Sequence, residues 1–96
     1  MRESKIQRWY VKSLEAHNVD CVKLYVKGWP DYLCIAGSGN SCFIEFKRTG
    51  QVITDPHQFA RRKRLEGKGH TVFEVNRISE TTLEQILVCL GEANRL

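Results

Sequence analysis

Gly28-Trp29-Pro30-Asp31, the apolar run Tyr32-Leu33-Cys34-Ile35-Ala36, the turn Gly37-Ser38-Gly39-Asn40 and the return Ser41-Cys42-Phe43-Ile44-Glu45-Phe46-Lys47 form the stretch on which the fold turns. The run 32–36 is too short for a helix and continuous enough for a buried strand. The glycine-rich turn sends the next segment, 41–48, back antiparallel as a hairpin. Strand side chains alternate faces, so Glu45 and Lys47 share one face while Cys42, Ile44 and Phe46 share the other. The hairpin also sets Asp31, at the start of one strand, beside Glu45 and Lys47 near the end of its partner.

Outward from the hairpin the remaining elements are read from periodicity. Residues 4–17 predict a helix, with Ile6, Trp9, Tyr10, Ser13, Leu14 and His17 on one face and Asn18 at its end. Residues 20–27 predict a strand, in which Val22, Leu24 and Val26 alternate with Lys23, Tyr25 and Lys27; Gly28 and Pro30 break it. After the turn Thr49-Gly50-Gln51, Thr54 or Asp55 is expected to cap a second helix with Pro56 in its first turn, ending near Gly67 or Gly69. Residues 70–76 predict a fourth strand. A last helix is expected over 80–94, with Leu83, Ile86, Leu87 and Leu90 as its buried stripe and Thr81 with Glu84 as a capping box. The order is α-β-β-β-α-β-α, an α/β domain with a central mixed sheet flanked by helices.

A chain of 96 residues predicts one domain, residues 1–96, with a modest core and room for self-association. With 42% hydrophobic and 27% charged residues, the composition is that of an ordinary globular domain rather than a disordered or fibrous chain. The net charge of +4 is compatible with a nucleic-acid partner without requiring one. Cys21, Cys34, Cys42 and Cys89 form no CxxC and no Cys–His zinc spacing, so they read as reduced thiols in or near the core. The N-terminus lacks the apolar stretch of a signal peptide, and no apolar run approaches the ~20 residues of a membrane span. A soluble, cytoplasmic protein is expected.

The chemistry lies in Asp31, Glu45 and Lys47. Two carboxylates converging at one sheet edge repel unless something positive lies between them. Mg²⁺ is commonly held by one or two carboxylates plus substrate phosphate and water, and the Phe46 carbonyl between Glu45 and Lys47 is a candidate third oxygen. Lys47 would then hold the attacking water or stabilise charge developing on a phosphate, and Gln58 on the following helix is placed to hydrogen-bond Lys47 or that water. The reaction class is phosphodiester hydrolysis. A bare E-x-K is also a common surface ion pair; its position inside an apolar strand, the P-D one hairpin earlier and Gln58 favour a metal site.

Other residues carry two readings. Glu3 is either a partner of the helix dipole or part of the site. Arg61-Arg62-Lys63-Arg64 is either a solvated helix face or a set of phosphate contacts. Trp29 is read as core, with base stacking as the alternative, and His57 as surface, since it points about 100° away from its helix neighbour Gln58.

Gly28-x-Pro30-Asp31, Glu45-x-Lys47, Gln58 with Leu65, and Glu3 in the first helix resemble in order and spacing the VRR-NUC (virus-type replication-repair nuclease) family of the PD-(D/E)xK, restriction-endonuclease-like superfamily. The resemblance runs from Glu3 to about Val75, although Arg61 and Arg62 stand where more apolar residues are expected. It implies a restriction-endonuclease-like core and Mg²⁺- or Mn²⁺-dependent cleavage of DNA. Asp31 and Glu45 would bind the metal, Glu3 would contact it directly or through water, Lys47 would serve the water, and Gln58 would support the site. It also implies kinship with stand-alone phage-type members that act as homodimers on branched DNA such as four-way (Holliday) junctions, with any helicase partner left open. Lys5, Arg8, Lys27, Arg48, Arg61, Arg62 and Lys63 are the candidate DNA contacts. The competing readings are a nucleic-acid-binding module without catalysis, a general non-selective DNA nuclease, and an interaction domain without a nucleic-acid role.

Overall fold

The computed structural model describes residues 1–52 and 54–92. The elements follow the predicted order: α1 (Glu3–Glu15), β1 (Asp20–Lys23), β2 (Tyr32–Ile35), β3 (Ser41–Phe46), α2 (Pro56–Gly67), β4 (Val72–Val75) and α3 (Glu80–Cys89). The strands make one sheet in the order β1-β2-β3-β4. The first three pair antiparallel, with Cys34 opposite Cys42 in the expected hairpin, and β4 joins β3 in parallel with Phe43 opposite Val72 and Glu45 opposite Glu74. The sheet is mixed, as expected.

Helices cover both faces. On one face, Ile6, Tyr10 and Leu14 of α1 and Leu83, Ile86 and Leu87 of α3 pack with Cys34, Cys42, Ile44, Phe46 and Val75. On the other, Leu65 of α2 packs with Phe43 and Val72, flanked by Leu24, Trp29 and Leu33. The alternation read from 41–47 therefore holds. Burying Ile44, which is 0% exposed, contributes roughly 1.5–3 kcal/mol relative to an exposed side chain. The Tyr10 hydroxyl ties α1 to the entry of α3, donating to the Arg77 carbonyl at 2.8 Å and accepting from the Ser79 N–H at 3.1 Å.

Element ends differ from expectation where tertiary pairing or capping decides them. The first strand stops at Lys23, although its alternation continues. Leu24 still donates its N–H to the Asp31 carbonyl, but β2 leaves the sheet before Asp31, and Tyr25 and Val26 are left exposed without a pairing strand. Asp55 caps α2 by accepting from the His57 N–H at 2.8 Å, with Pro56 following it. The cap of α3 is Ser79, not the expected Thr81–Glu84 box: Ser79 is extended and its hydroxyl accepts from the Thr82 N–H, which places Thr81 inside the first turn. That helix ends at Cys89 because Gly91 takes a positive φ of 72°, and the Gly91 and Glu92 N–H groups close back onto the Val88 and Leu87 carbonyls. Asn94, the expected end, lies outside the described residues. Asn18, at φ 61°, ends α1 in the same way. All four cysteines are free thiols; Cys34 and Cys42 are buried, and Cys21 and Cys89 half-buried.

Candidate active site

The site forms where β2 begins and β3 ends. The Phe43 and Lys47 N–H groups point to β4, bonding Thr71 and Val75, so the N–H groups of Cys42, Ile44 and Phe46 point to β2. With Tyr32 opposite Ile44, the next rung of that kind sets Pro30 opposite Phe46. Proline has no N–H to give, so the Phe46 carbonyl receives no ladder bond from that strand. The Phe46 N–H is taken instead by the carboxylate of Asp31, at 2.7 Å from Oδ2. Proline followed by aspartate thus has a physical logic: the first residue withholds a donor from β3, and the second bends its carboxylate back onto β3.

Glu45 stands on the α2 face of β3 and is 2% exposed. Gln58, one turn into α2, bridges it to Lys47. The amide Nε2 donates to Glu45 Oε1 at 2.7 Å, while Oε1 of the same amide accepts from Lys47 Nζ at 2.8 Å. The predicted Gln58–Lys47 contact is present, and the second bond to Glu45 makes Gln58 an orienting clamp between catalytic candidates. Glu45 Oε2 is buried with no hydrogen-bond partner. Burial pushes the Glu45 carboxyl up to about 8, reinforced by the adjacent Asp31 and the charge of Glu3 and opposed by Lys47. A proton shared with Asp31 or a cation would satisfy the orphaned oxygen, and this is the local chemistry a divalent metal fits.

Among the described residues, no group of three or more His, Cys, Asp or Glu side chains stands together in a way that could hold a metal ion. Glu3 therefore does not complete a three-carboxylate cluster with Asp31 and Glu45. It accepts from Gln7 at 3.1 Å and acts on Glu45 through its charge.

The basic candidates separate. Lys5 and Arg8 lie on α1, behind the sheet from Glu45, and Arg48 is exposed just after β3. Arg62 is engaged by Glu66 at 3.4 Å and Glu74 at 3.5 Å. Lys63 lies 5.4 Å from the Phe59 ring. Arg61 lies over the Trp29 ring at 4.6 Å, and Trp29 also packs near Phe43. Trp29, read as core, is half-buried at the edge of the α2-side cluster, with Arg61 over it. His57 is exposed.

Two features escaped the sequence reading. Glu74, level with Glu45 on the neighbouring strand, places a further carboxylate on the same face; the signal was a lone charge in the apolar Val72-Phe73-Glu74-Val75, the same pattern as Ile44-Glu45-Phe46. The second is the pairing of Arg61 with Trp29, for which sequence spacing offers no sign.

No family model and no curated protein matches the chain. Among solved structures, one described as "VRR_NUC domain" superposes with a TM-score of 0.75 at 29% identity, covering 90% of this chain and 92% of that one. The shared architecture extends over nearly the whole of both chains, and in this chain Gln58 links Glu45 to Lys47 while Asp31 accepts the Phe46 N–H. The chain is a structural relative of the VRR-NUC domain, sharing its fold over nearly the whole of its length.

Proposed function

We propose that this nuclease domain is a divalent-metal-dependent DNA endonuclease that selects branched structures such as four-way junctions. The observation that carries the reading is the buried, half-satisfied Glu45 beside Asp31, with Lys47 held against it through Gln58. Mg²⁺ or Mn²⁺, held by Asp31, Glu45 and the Phe46 carbonyl, with Glu3 acting through water, would offset the paired carboxylates and polarise the phosphodiester. Lys47 gives one N–H to Gln58 and keeps two more donors. Those hold the attacking water and stabilise the charge that grows on the phosphoryl oxygens as water adds and an ester oxygen leaves. Gln58 fixes the ammonium relative to the carboxylate, so the donor is in place before the reaction begins.

Structure selectivity follows from size and charge. A domain this small gains footprint by self-association, and a two-fold dimer presents two identical sites to a junction of matching symmetry. Phosphate contacts read the shape of such a substrate without base readout. The test offers labelled linear, flap, fork and four-way-junction DNAs with Mg²⁺ and with Mn²⁺, alongside light scattering at micromolar concentration. Paired nicks in opposing arms of the junction, from a particle of about twice 11.1 kDa, are expected. A monomer that degrades linear duplex as readily as junctions is a general nuclease, and binding without cleavage in either metal leaves a binding module.

A further inference from the structure

The strongest unassigned feature is a cleft of about 450 Å³ between the turn that precedes Pro30 and one stripe of α2. Its helical wall is His57, Ala60, Arg61 and Arg64, residues spaced by three, one and three and so on a single face of the helix. Its other wall is Lys27 and Gly28. Gly28 has a positive φ of 83°, and a Cβ there would lie 3.8 Å from that of His57, so turn and helix approach closely at this end. The small side chain of Ala60 leaves space between the walls.

Three cations line this space: Lys27, Arg61 and Arg64. One carboxylate, Asp55, lines it as well, but accepts the His57 N–H as the helix cap. The structure sorts the basic run that sequence alone leaves undivided, since Arg62 is turned to Glu66 and Glu74, whereas Arg61 and Arg64 face the cleft. A guanidinium lying over an indole keeps its in-plane N–H edge for another acceptor, so Arg61 can rest on Trp29 and still bind an anion. The cleft also adjoins the chemistry by chain: Gly28 lies three residues before Asp31, and His57 directly precedes Gln58.

We infer that this cleft holds backbone phosphates of the DNA strand next to the scissile bond, with Lys27, Arg61 and Arg64 as the contacts. The inference rests on the nuclease reading for its ligand and adds where the strand runs: along the face of α2 on the side of the Pro30 turn. Phosphate contacts there position the strand over Asp31, Glu45 and Lys47 and carry no sequence information.

The test measures anisotropy of a fluorescein-labelled duplex in Ca²⁺ across a salt series, so that no turnover is needed. In R61Q/R64Q, the log–log salt slope is expected to shrink by about 0.9 for each phosphate left without its cation, while K68Q, the loss of one cation just beyond the end of the same helix, leaves the slope unchanged. K27Q/R64Q spares the Trp29 stack and guards against a folding defect in the first variant. In Mg²⁺ cleavage, KM rises in both double variants with kcat held. Wild-type slope and KM in both overturn the cleft. A wild-type protein that cleaves no DNA, but whose salt slope still shrinks in the two double variants, overturns the nuclease reading and leaves the cleft standing. A free mononucleotide that binds more tightly than duplex, and whose binding alone the substitutions abolish, makes the site a nucleotide pocket and overturns the assignment to DNA.

Discussion

The two faces of β3 are nearly equally buried and chemically opposite. Toward α1 and α3, Cys42, Ile44 and Phe46 are 0–1% exposed and wholly thiol or hydrocarbon. Toward α2, Phe43 at 7% is followed by Glu45 at 2% and half-buried Lys47. One strand thus anchors a core on one side and, one residue over, keeps a carboxylate where water cannot reach it. The comparison teaches that the burial of Glu45 on the α2 face does not serve stability. Burial and the neighbouring Asp31 displace the Glu45 carboxyl to about 8 even with Lys47 opposing, which a face selected only for folding would not retain.

The largest expected effect breaks the α2 face outright. Asp31→Asn and Glu45→Gln are expected to abolish Mg²⁺-dependent cleavage while leaving metal-free stability equal or higher. The sign follows from linkage. Between the ordinary Glu value of 4.5 and about 8, the folded protein holds more protons than the unfolded chain, so stability is fully present below that window and lost as pH rises through it. The loss is on the order of a few kcal/mol. Glu45→Gln cannot ionise, so its melting temperature in chelator should stay flatter than wild type from about pH 5 to about pH 9. Near wild-type cleavage by either variant shows the site is elsewhere. A melting curve for Glu45→Gln that falls with pH as steeply as wild type shows that Glu45 is not the strained group.

Next is Lys47→Ala, expected to lower the cleavage rate by at least ~10²-fold, the range seen on removing one electrostatic stabiliser. Affinity for DNA should change little, because the Lys47 ammonium is tied through Gln58 to Glu45 within the site. A variant that binds weakly but cleaves normally at saturation would make Lys47 a backbone contact and erase the distinction between chemistry and binding on this face.

How far these faces could be read in advance varies residue by residue. Period-two alternation put Glu45 and Lys47 opposite Ile44 and Phe46, and the glycine turn after Ala36 put Asp31 beside them, because both features are local. The Gln58 contact to Lys47 was legible from the motif; its bond to Glu45 depends on how α2 lies on the sheet, which no spacing encodes. The early end of β1 at Lys23 depends on where its partner strand leaves, and the cap of α3 on Ser79 competing with Thr81 two residues later. The partners of Arg61 and Arg62 come from other elements, so a run of four basic residues looked uniform in sequence and is not uniform in space.

On the opposite face, a smaller effect is expected from Tyr10→Phe. The hydroxyl holds the Arg77 carbonyl and the Ser79 N–H at the entry to α3, and its loss leaves both without that partner, at a cost of ~1–3 kcal/mol. Denaturant titration reads the loss, while the cleavage rate per folded molecule should hold. A fall in rate without a fall in stability would place α1 in the chemistry.

The smallest expected effect tests how independent the two faces are. Ile44 is 0% exposed and immediately precedes Glu45, so Ile44→Val removes one buried methylene at the point where core and site share a backbone. Valine keeps the β-branch that suits a strand, and the expected cost is ~0.5–1.5 kcal/mol by chemical denaturation. The position of Glu45 is set by the β3 ladders on either side and by Gln58, none of which uses the Ile44 side chain. Cleavage at saturating DNA should therefore stay within about twofold of wild type, a shift of RT ln 2, well below one factor of ten. A loss of tenfold or more at unchanged fold would mean that the packing of α1 and α3 sets the Asp31–Glu45 geometry through the strand itself. The faces would then be one mechanical unit, and substitutions in the apolar core would tune the nuclease site.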